Sequence, residues 1–176
     1  MPIPEATAES LVRDIAAGDH AALGALYDRH APLVNGLALR ILRNVTEAEE
    51  VVQEVFLQVW HQATRFDRKR GSVSGWLCVI ARSRALDRLR RRIARREEPE
   101  EALPVPTATP RTDEALAVRA ALDALSAEQK LALELAYYEG LSQSEIATKL
   151  GQPLGTVKTR MRSAMIRLRE VLGPTP

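Results

Sequence analysis

A proline-containing segment divides this sequence into two unequal parts. Residues 97–112 include four prolines and almost no large apolar side chain. Proline lacks an amide hydrogen and its ring clashes with the preceding helical turn, so this segment cannot form a continuous helix. Sixteen extended residues span roughly 50 Å at about 3.1 Å each. The sequence therefore predicts two small domains, residues 1–96 and 113–176, joined by an extended linker over residues 97–112.

Apolar residues on both sides of this linker recur at helical spacing, and no convincing run alternates with period two. Capping boxes at Thr46–Glu49, Ser126–Gln129 and Ser142–Glu145 predict three helix starts, because each pairs a hydroxyl and a carboxyl or amide group with the first free amides of a helix. The predicted fold class is all-α. We expect helices over about 9–17, 20–43, 46–63, 73–96, 113–125, 126–140, 142–150 and 154–171.

Several functional classes are disfavoured by composition. The chain has one cysteine, Cys78, and its three histidines are scattered without zinc-ligand spacing, so we expect no disulfide, no metal and no cofactor. No apolar run is long enough to span a bilayer, and residues 1–10 do not resemble a signal peptide. These features favour a cytoplasmic protein without direct membrane contact. A Gly-rich phosphate loop and a nucleophile elbow are both missing, which argues against an enzyme.

The net charge of +2 conceals two segments of opposite charge. Residues 82–96 contain eight arginines and one acid, Asp87, a local charge of +7. Residues 46–60 contain four glutamates and no basic residue. A basic run of this density favours a polyanion such as nucleic acid, whereas the acidic segment favours a protein partner. The sequence thus predicts two surfaces for two ligands. The alternative for the last two arginines, Arg95 and Arg96, is a solvated helix end paired with neighbouring glutamates.

The C-terminal part has the pattern of a helix-turn-helix. Gly151 permits a tight turn with positive φ, and Ala147 is small where two helices cross. The helix that follows carries five basic residues and one acid, with Val157, Met161, Ile166 and Leu168 as the predicted buried positions. A solvated helical hairpin is the alternative, but we interpret the exposed face as a DNA-binding surface. Its predicted contacts are Gly155, Thr156, Lys158, Thr159, Arg160, Arg162 and Ser163.

Two sets of motifs stand out, at residues 47–60, 75–77 and 80–91 in the first part and at residues 140–147, 150–151 and 153–160 in the second. Both sets resemble one family, the extracytoplasmic-function sigma factors of bacterial RNA polymerase. The segments that resemble region two of that family are residues 47–60 (EAEEVVQEVFLQVW), 75–77 (GWL) and 80–91 (IARSRALDRLRR). The segments that resemble region four are residues 140–147 (GLSQSEIA), 150–151 (LG) and 153–160 (PLGTVKTR). The order of the motifs is also that of the family, with a linker in place of the middle domain of larger sigma factors. The resemblance implies a promoter-reading subunit that is not itself an enzyme.

The resemblance also implies specific contacts. The acidic helix would dock on the beta-prime coiled-coil of core RNA polymerase, and region four would meet the beta flap. The positions matching the docking helix are Glu50, Gln53, Glu54, Phe56, Leu57 and Trp60. For Phe56 and Trp60, spaced i and i+4, burial in the core is the alternative. An anti-sigma factor is expected to hold the protein inactive until a stress signal.

Contacts with the minus-ten promoter element are implied for the loop near residue 70 and for the arginine-rich helix. Holding an extruded base and the strand backbone offsets the cost of opening the duplex. The matching positions are Lys69, Arg70, Ser83, Arg84, Asp87, Arg88 and Arg91. Ser83 stands where the family commonly has Asn, and a hydroxyl offers fewer hydrogen-bonding groups than an amide. Asp87 is predicted to orient Arg84 or Arg91, its neighbours on the helix.

Two other interpretations of the protein's function remain open. A stand-alone helix-turn-helix repressor or response regulator would need only residues 113–176 and leaves residues 46–92 unexplained. A purely helical interaction protein would need neither basic surface. Electrophoretic mobility shift separates a repressor, which binds duplex DNA unaided, from a sigma factor, which binds weakly until core polymerase is added.

Overall fold

Helix caps and short turns set the boundaries of the elements in the computed structural model, which describes the backbone of residues 6–95 and 113–172. The described residues form eight α-helices and two single 3-10 turns, with no strand among them, so the all-α prediction is confirmed. The chain divides into two compact units after Pro106. The predicted linker over residues 97–112 lies outside the described residues and stays a prediction.

The first unit contains four α-helices. They are α1 (Ala8–Ala16), α2 (His20–Leu42), α3 (Val45–Gln62) and α4 (Val73–Arg95). The Asp19 side chain caps α2 by accepting from the amide of Ala21 at 2.8 Å. The predicted helix α2 continues through Pro32. The 3-10 turns Ala63–Arg65 and Arg68–Arg70 connect α3 to α4.

The predicted capping box at Thr46 is wrong. Helix α3 begins one residue before Thr46, and its N-cap is Asn44, whose side chain accepts from the amide of Glu47 at 2.8 Å. Asparagine is among the best N-cap residues, and here it follows a sharp reversal of the chain. Arg43 makes that reversal with a φ of 53°, while its amide donates to the carbonyl of Leu39 at 2.8 Å. The turn between α2 and α3 is therefore only two residues long.

The core of the first unit lies between α2, α3 and α4, which all pack against one another. Each contributes large side chains that are fully buried, and burying one such aliphatic side chain contributes about 1.5–3 kcal/mol. They are Leu26, Val34 and Leu42 of α2, Val51, Val55 and Val59 of α3, and Val73 and Leu77 of α4. This core leaves one long face of α3 and one of α4 in contact with solvent.

The second unit has four shorter helices around a small core. They are α5 (Asp113–Asp123), α6 (Ala127–Tyr138), α7 (Gln143–Leu150) and α8 (Leu154–Leu172). The capping boxes at Ser126 and Ser142 are both confirmed. Gly151 ends α7 with a φ of 61°, as the predicted turn requires. A cluster of Leu135, Ile146, Ala147 and Val157 forms the core between α6, α7 and α8.

One predicted core position of α8 is wrong. The side chain of Ile166 is 47% exposed, whereas Val157 and Ala164 are fully buried. Residue 166 follows residue 157 by nine positions, which places it about 180° away around an ideal helix. Helical spacing from Val157 therefore selects Met161 and Ala164 as the inward positions, and Ile166 faces solvent. Within residues 6–95 and 113–172, no helix combines the length and apolarity needed to cross a membrane.

Candidate protein and nucleic-acid interfaces

The exposed face of α3 presents part of the predicted docking surface. Glu50, Gln53 and Leu57 all face solvent, and they share one side of the helix because they are spaced by three and four residues. The side chain of Leu57 is 60% exposed. An apolar residue surrounded by polar ones is a common arrangement at protein interfaces. Three of the six predicted docking residues therefore lie together on one accessible surface.

The two aromatic residues predicted for the same surface are placed differently. Phe56 is only 5% exposed, and its ring centroid lies 4.8 Å from that of Tyr27 on α2. Its side chain belongs to the core, which favours the alternative interpretation and removes it from the accessible surface. Trp60 is half-buried and stacks on the ring of His20 at 4.2 Å. Part of Trp60 remains accessible at the end of the docking face.

Helices α3 and α4 run antiparallel and are joined by a row of polar contacts. We call this row the seam, formed by Glu47, Glu50, Glu54 and Gln58 of α3 with Arg84, Arg88 and Arg92 of α4. At one end, Arg84 donates from Nη2 to the Gln58 amide oxygen at 2.8 Å and lies 3.7 Å from Glu54. In the middle, Arg88 donates to both Glu50 and Glu54. Through these contacts, acidic and amide side chains of α3 alternate with arginines of α4 along the seam.

The other end of the seam is more enclosed. Arg92 donates from Nη1 to Glu47 at 2.7 Å and from Nη2 to the backbone carbonyl of Leu42 at 3.0 Å. Its side chain is 13% exposed. The guanidinium thus joins the end of α2, the start of α3 and the last turns of α4. Arg92 is a structural residue in this arrangement.

The seam corrects the expectation of two separate surfaces. Glu50 and Glu54, predicted for a protein partner, are in direct contact with Arg88, predicted for DNA. Sequence reasoning did not single out Glu47, Gln58 or Arg92 as contact residues. The spacing contained a signal for them. Acidic or amide residues recur every three or four positions along α3, and arginines recur every four positions along α4, so the two series can pair in reverse order. The match is informative only once α3 and α4 are known to be antiparallel neighbours.

Arg88 stays charged in this setting. Partial burial acts to lower the pKa of the Arg88 guanidinium, but the hydrogen bonds and charges of Glu54 and Glu50 outweigh it and raise the pKa. A guanidinium presents its N–H groups in a fork that fits carboxylates and phosphates equally well. The chemistry of the seam therefore suits either internal carboxylates or external phosphates at Arg88.

The remaining residues predicted for the minus-ten element are mostly accessible. Lys69 and Arg70 lie exposed in the 3-10 turn that Asp67 caps by accepting from the Lys69 amide at 2.9 Å. Ser83 and Arg91 are exposed on α4. Asp87 pairs with Arg90 at 3.4 Å instead of Arg84 or Arg91, which corrects its predicted partner.

An aromatic contact holds the basic turn Arg68–Arg70 close to the start of α4. Phe66 and Trp76 lie 5.4 Å apart between ring centroids, and both are half-buried. The Ser72 hydroxyl accepts from the amide of Gly75 at 3.1 Å and so caps the start of α4. The basic turn and the arginine-rich helix are thereby held next to each other in the first unit.

The helix-turn-helix presents α8 to solvent. Lys158 and Arg162, four residues apart, point outward on one face, and exposed Gly155 precedes them. Arg160 donates to the Gln152 amide oxygen in the turn, and Thr156 is half-buried. Two predicted hydroxyl contacts are used internally. Thr159 donates to the Gly155 carbonyl at 2.9 Å, and Ser163 donates to the Arg160 carbonyl while accepting from Gln129 of α6, both at 3.0 Å.

These features define the class of protein. An all-helical unit with an acidic helix beside an arginine-rich one, followed by a helix-turn-helix unit, is the arrangement of sigma-70 regions two and four. The family model for Sigma-70 region 2 matches residues 26–95, and that for Sigma-70, region 4 matches residues 121–170.

Relatives over the whole length identify the branch of the family. The chain is 36% identical over 182 residues to the ECF RNA polymerase sigma factor SigK of Mycolicibacterium vanbaalenii, covering 98% of this chain and 93% of that protein. It is 38% identical over 173 residues to SigK of Mycobacterium tuberculosis H37Rv, covering 93% and 92%. The chain therefore belongs to the extracytoplasmic-function sigma factors.

A solved structure agrees with this assignment. SigE of Rhodobacter sphaeroides, crystallised in complex with the anti-sigma ChrR, is 31% identical and superposes with a TM-score of 0.51. The match covers 93% of this chain and 96% of that one.

Proposed function

We propose that this sigma factor directs core RNA polymerase to promoters by using three surfaces with different partners. The observation that supports this proposal most directly is that one chain presents two different exposed faces on two different units. The face of α8 is basic, and the face of α3 is acidic and apolar. A repressor would need the first surface alone. The second surface has the composition of a protein-binding site, and its presence favours a polymerase subunit.

The first surface is the docking face of α3. Glu50, Gln53 and Leu57, with the accessible edge of Trp60, would contact the beta-prime coiled-coil of core polymerase. Leu57 supplies apolar area that becomes buried, and the polar residues around it set the orientation. Glu54 acts at the edge of this face, since it also takes part in the seam. Phe56 contributes by holding α3 against α2.

The second surface is the outer face of α8. Lys158 and Arg162 would contact phosphates or guanine edges of the minus-thirty-five element in the major groove, and Gly155 permits a close approach of the backbone. Arg160 is oriented by Gln152 and supplements these contacts. Thr156, Thr159 and Ser163 lie on the neighbouring part of the helix, and the hydroxyls of the last two also stabilise α8 itself. The beta flap would meet the same unit away from DNA.

The third surface is the basic turn with the exposed side of α4. Lys69, Arg70 and Arg91 would hold the strand backbone at the minus-ten element, while Ser83 lies where an extruded base can reach it. Arg84 and Arg88 would join them when released from the seam. Asp87 orients Arg90. Strand opening is costly, and backbone contacts of this kind offset part of that cost.

The same proposal covers regulation and location. An anti-sigma factor is proposed as a further partner, by analogy with SigE of Rhodobacter sphaeroides in its complex with ChrR. The protein would act in the cytoplasm, where core polymerase and the nucleoid are. It would need no cofactor or metal and would catalyse no reaction, since nucleotide chemistry belongs to the polymerase.

Binding assays with purified core polymerase test the proposal. Leu57→Asp should weaken assembly with core polymerase at least about tenfold, because it places a charge in a buried contact. The double change Lys158→Ala and Arg162→Ala should leave assembly unchanged but weaken mobility shift of promoter duplex by the assembled complex. Glu170→Gln on α8 serves as a surface control. Strong duplex binding by the chain alone, unaffected by core polymerase, would instead support a stand-alone repressor.

A further inference from the structure

We propose that side chains of α3 act as an internal competitor for promoter DNA until polymerase docks on this helix. The carboxylates of Glu50 and Glu54 occupy Arg88, and the Gln58 amide together with Glu54 occupies Arg84. This inference rests on the proposed function and deepens it. The free chain would hold two of its arginines in the seam, and docking would make them available to the DNA strand.

The contacts at Arg88 support the competition most directly. Its two terminal nitrogens donate to two different carboxylates, Nη1 to Glu50 and Nη2 to Glu54. A phosphate recognised by the same fork would need the same donors. Arg84 is occupied in a similar way, because its Nε and Nη2 both donate to Gln58, at 3.2 and 2.8 Å. Neither arginine can engage a phosphate through these donors without leaving its α3 partner.

Exposure distinguishes the exchangeable part of the seam from the fixed part. The Arg84 side chain is 45% exposed, and its partner Glu54 is partly exposed, so solvent and ligands reach this pair. Ion pairs at such positions are weak and readily exchanged. Arg92 differs, because it is largely enclosed and also donates to a backbone carbonyl. The seam therefore has one enclosed, structural end at Arg92 and one accessible end at Arg84. Arg88 lies between them with 22% of its side chain exposed, and its partner Glu50 is the more accessible member of that pair at 52%.

The position of Glu50 links the seam to the docking face. Glu50 is exposed beside Gln53 on the outer side of α3, yet it is also a partner of Arg88. A basic group of the polymerase that pairs with Glu50 would withdraw one of the two carboxylates from Arg88. A ligand that binds the released state better shifts the equilibrium toward it. By the same linkage, DNA bound at Arg88 would strengthen polymerase docking by the same factor.

A binding assay with the full chain and no polymerase isolates the competition. The probe is a fluorescein-labelled single-stranded oligo-dT of twenty nucleotides, measured by anisotropy over a series of NaCl concentrations. The principal variant is Glu54→Gln, which touches both arginines, and Glu50→Gln is the second. The matched control is Glu49→Gln, because Glu49 is exposed on the same helix and has no basic partner within the described residues. All three variants change the net charge equally.

The competition predicts tighter binding by the seam variants than by the control. Releasing one phosphate-binding arginine should steepen the slope of log K against log salt by about 0.7 and raise affinity about threefold at low salt. Glu54→Gln should raise affinity less in an Arg88→Gln background than in the unmodified chain, and a double-mutant cycle measures this difference. Circular dichroism melts confirm that each variant is folded. If Glu54→Gln proves unfolded, Glu50→Gln carries the test, since Glu50 is on the surface.

Two negative results have different meanings. Equal affinity and equal salt slope for Glu54→Gln, Glu50→Gln and Glu49→Gln, in a protein that still forms a promoter-binding complex with core polymerase, would overturn the competition alone. A chain that neither binds the oligonucleotide in any variant at low salt nor assembles with core polymerase would overturn the proposed function and the competition together.

Discussion

Replacing Arg92 with methionine should destabilise the first unit substantially. The change removes a hydrogen-bonded ion pair with Glu47 at 2.7 Å and a hydrogen bond to the Leu42 carbonyl at 3.0 Å, while keeping an aliphatic chain of similar reach. Hydrogen bonds to charged groups contribute about 1.5–3 kcal/mol, and Glu47 would be left partly enclosed without its partner. We expect a loss of about 2 kcal/mol in the free energy of unfolding. For a unit of this size that corresponds to roughly 10 °C in melting temperature.

Urea unfolding followed by tryptophan fluorescence measures this loss selectively. The chain has two tryptophans, Trp60 and Trp76, and both belong to the first unit. The matched control is Arg91→Met, since Arg91 is the exposed neighbour on the same helix, and surface changes usually stay within about 0.5 kcal/mol. Combining Arg92→Met with Glu47→Gln should cost less than the sum of the two single changes. Equal unfolding midpoints for Arg92→Met and Arg91→Met would refute the structural role of Arg92.

Three other perturbations give separate outcomes. Burial, with a smaller contribution from the charge of Arg29, holds the pKa of His30 below its ordinary value of 6.5, so the unfolded chain binds this proton more readily. The contribution of His30 to stability is then fully present above about pH 6.5 and is lost as the pH drops below it, and His30→Gln should flatten this part of the urea-unfolding pH profile. Burial also raises the pKa of the Cys78 thiol. A disulfide reagent at neutral pH should therefore react at least about tenfold more slowly with native than with urea-unfolded protein. Equal reaction rates would contradict the partial burial of Cys78. Gly151→Ala should cost about 1–2 kcal/mol in thermal unfolding of the second unit because φ is +61° there, whereas Gly155→Ala in the helix should stabilise by about 0.5–1 kcal/mol and still weaken promoter binding. A stabilising effect of Gly151→Ala, or a destabilising effect of Gly155→Ala, would contradict the backbone assignment of the turn.

Local signals in the sequence predicted the second unit well. The capping boxes at Ser126 and Ser142 and the positive φ at Gly151 depend on residues within one turn of each other, so the sequence contains all the information needed. The same reasoning failed at Thr46. A better cap, Asn44, lies two residues earlier, and it follows a left-handed Arg43 that no glycine marks. Local pattern alone does not rank two adjacent caps.

The candidate sites were less predictable because they depend on which helices become neighbours. Counting charges along the chain indicated an acidic segment and a basic segment, and it assigned them to different partners. The antiparallel packing of α3 and α4 instead brings Glu54 to Arg84 and Arg88. The sequence also leaves open which side chains of α3 are buried, for the same reason. Phe56 has the spacing of both a core and an interface residue, and only the position of Tyr27 on α2 decides between them.

Run-off transcription tests the central claim most directly. Purified core polymerase from a bacterium would be combined with this chain on a library of promoter fragments, with core polymerase alone as the reference. The account predicts transcripts that start at a defined subset of fragments sharing two spaced sequence elements, and their loss with Lys158→Ala and Arg162→Ala or with Leu57→Asp. Unchanged start sites with and without the chain would contradict it.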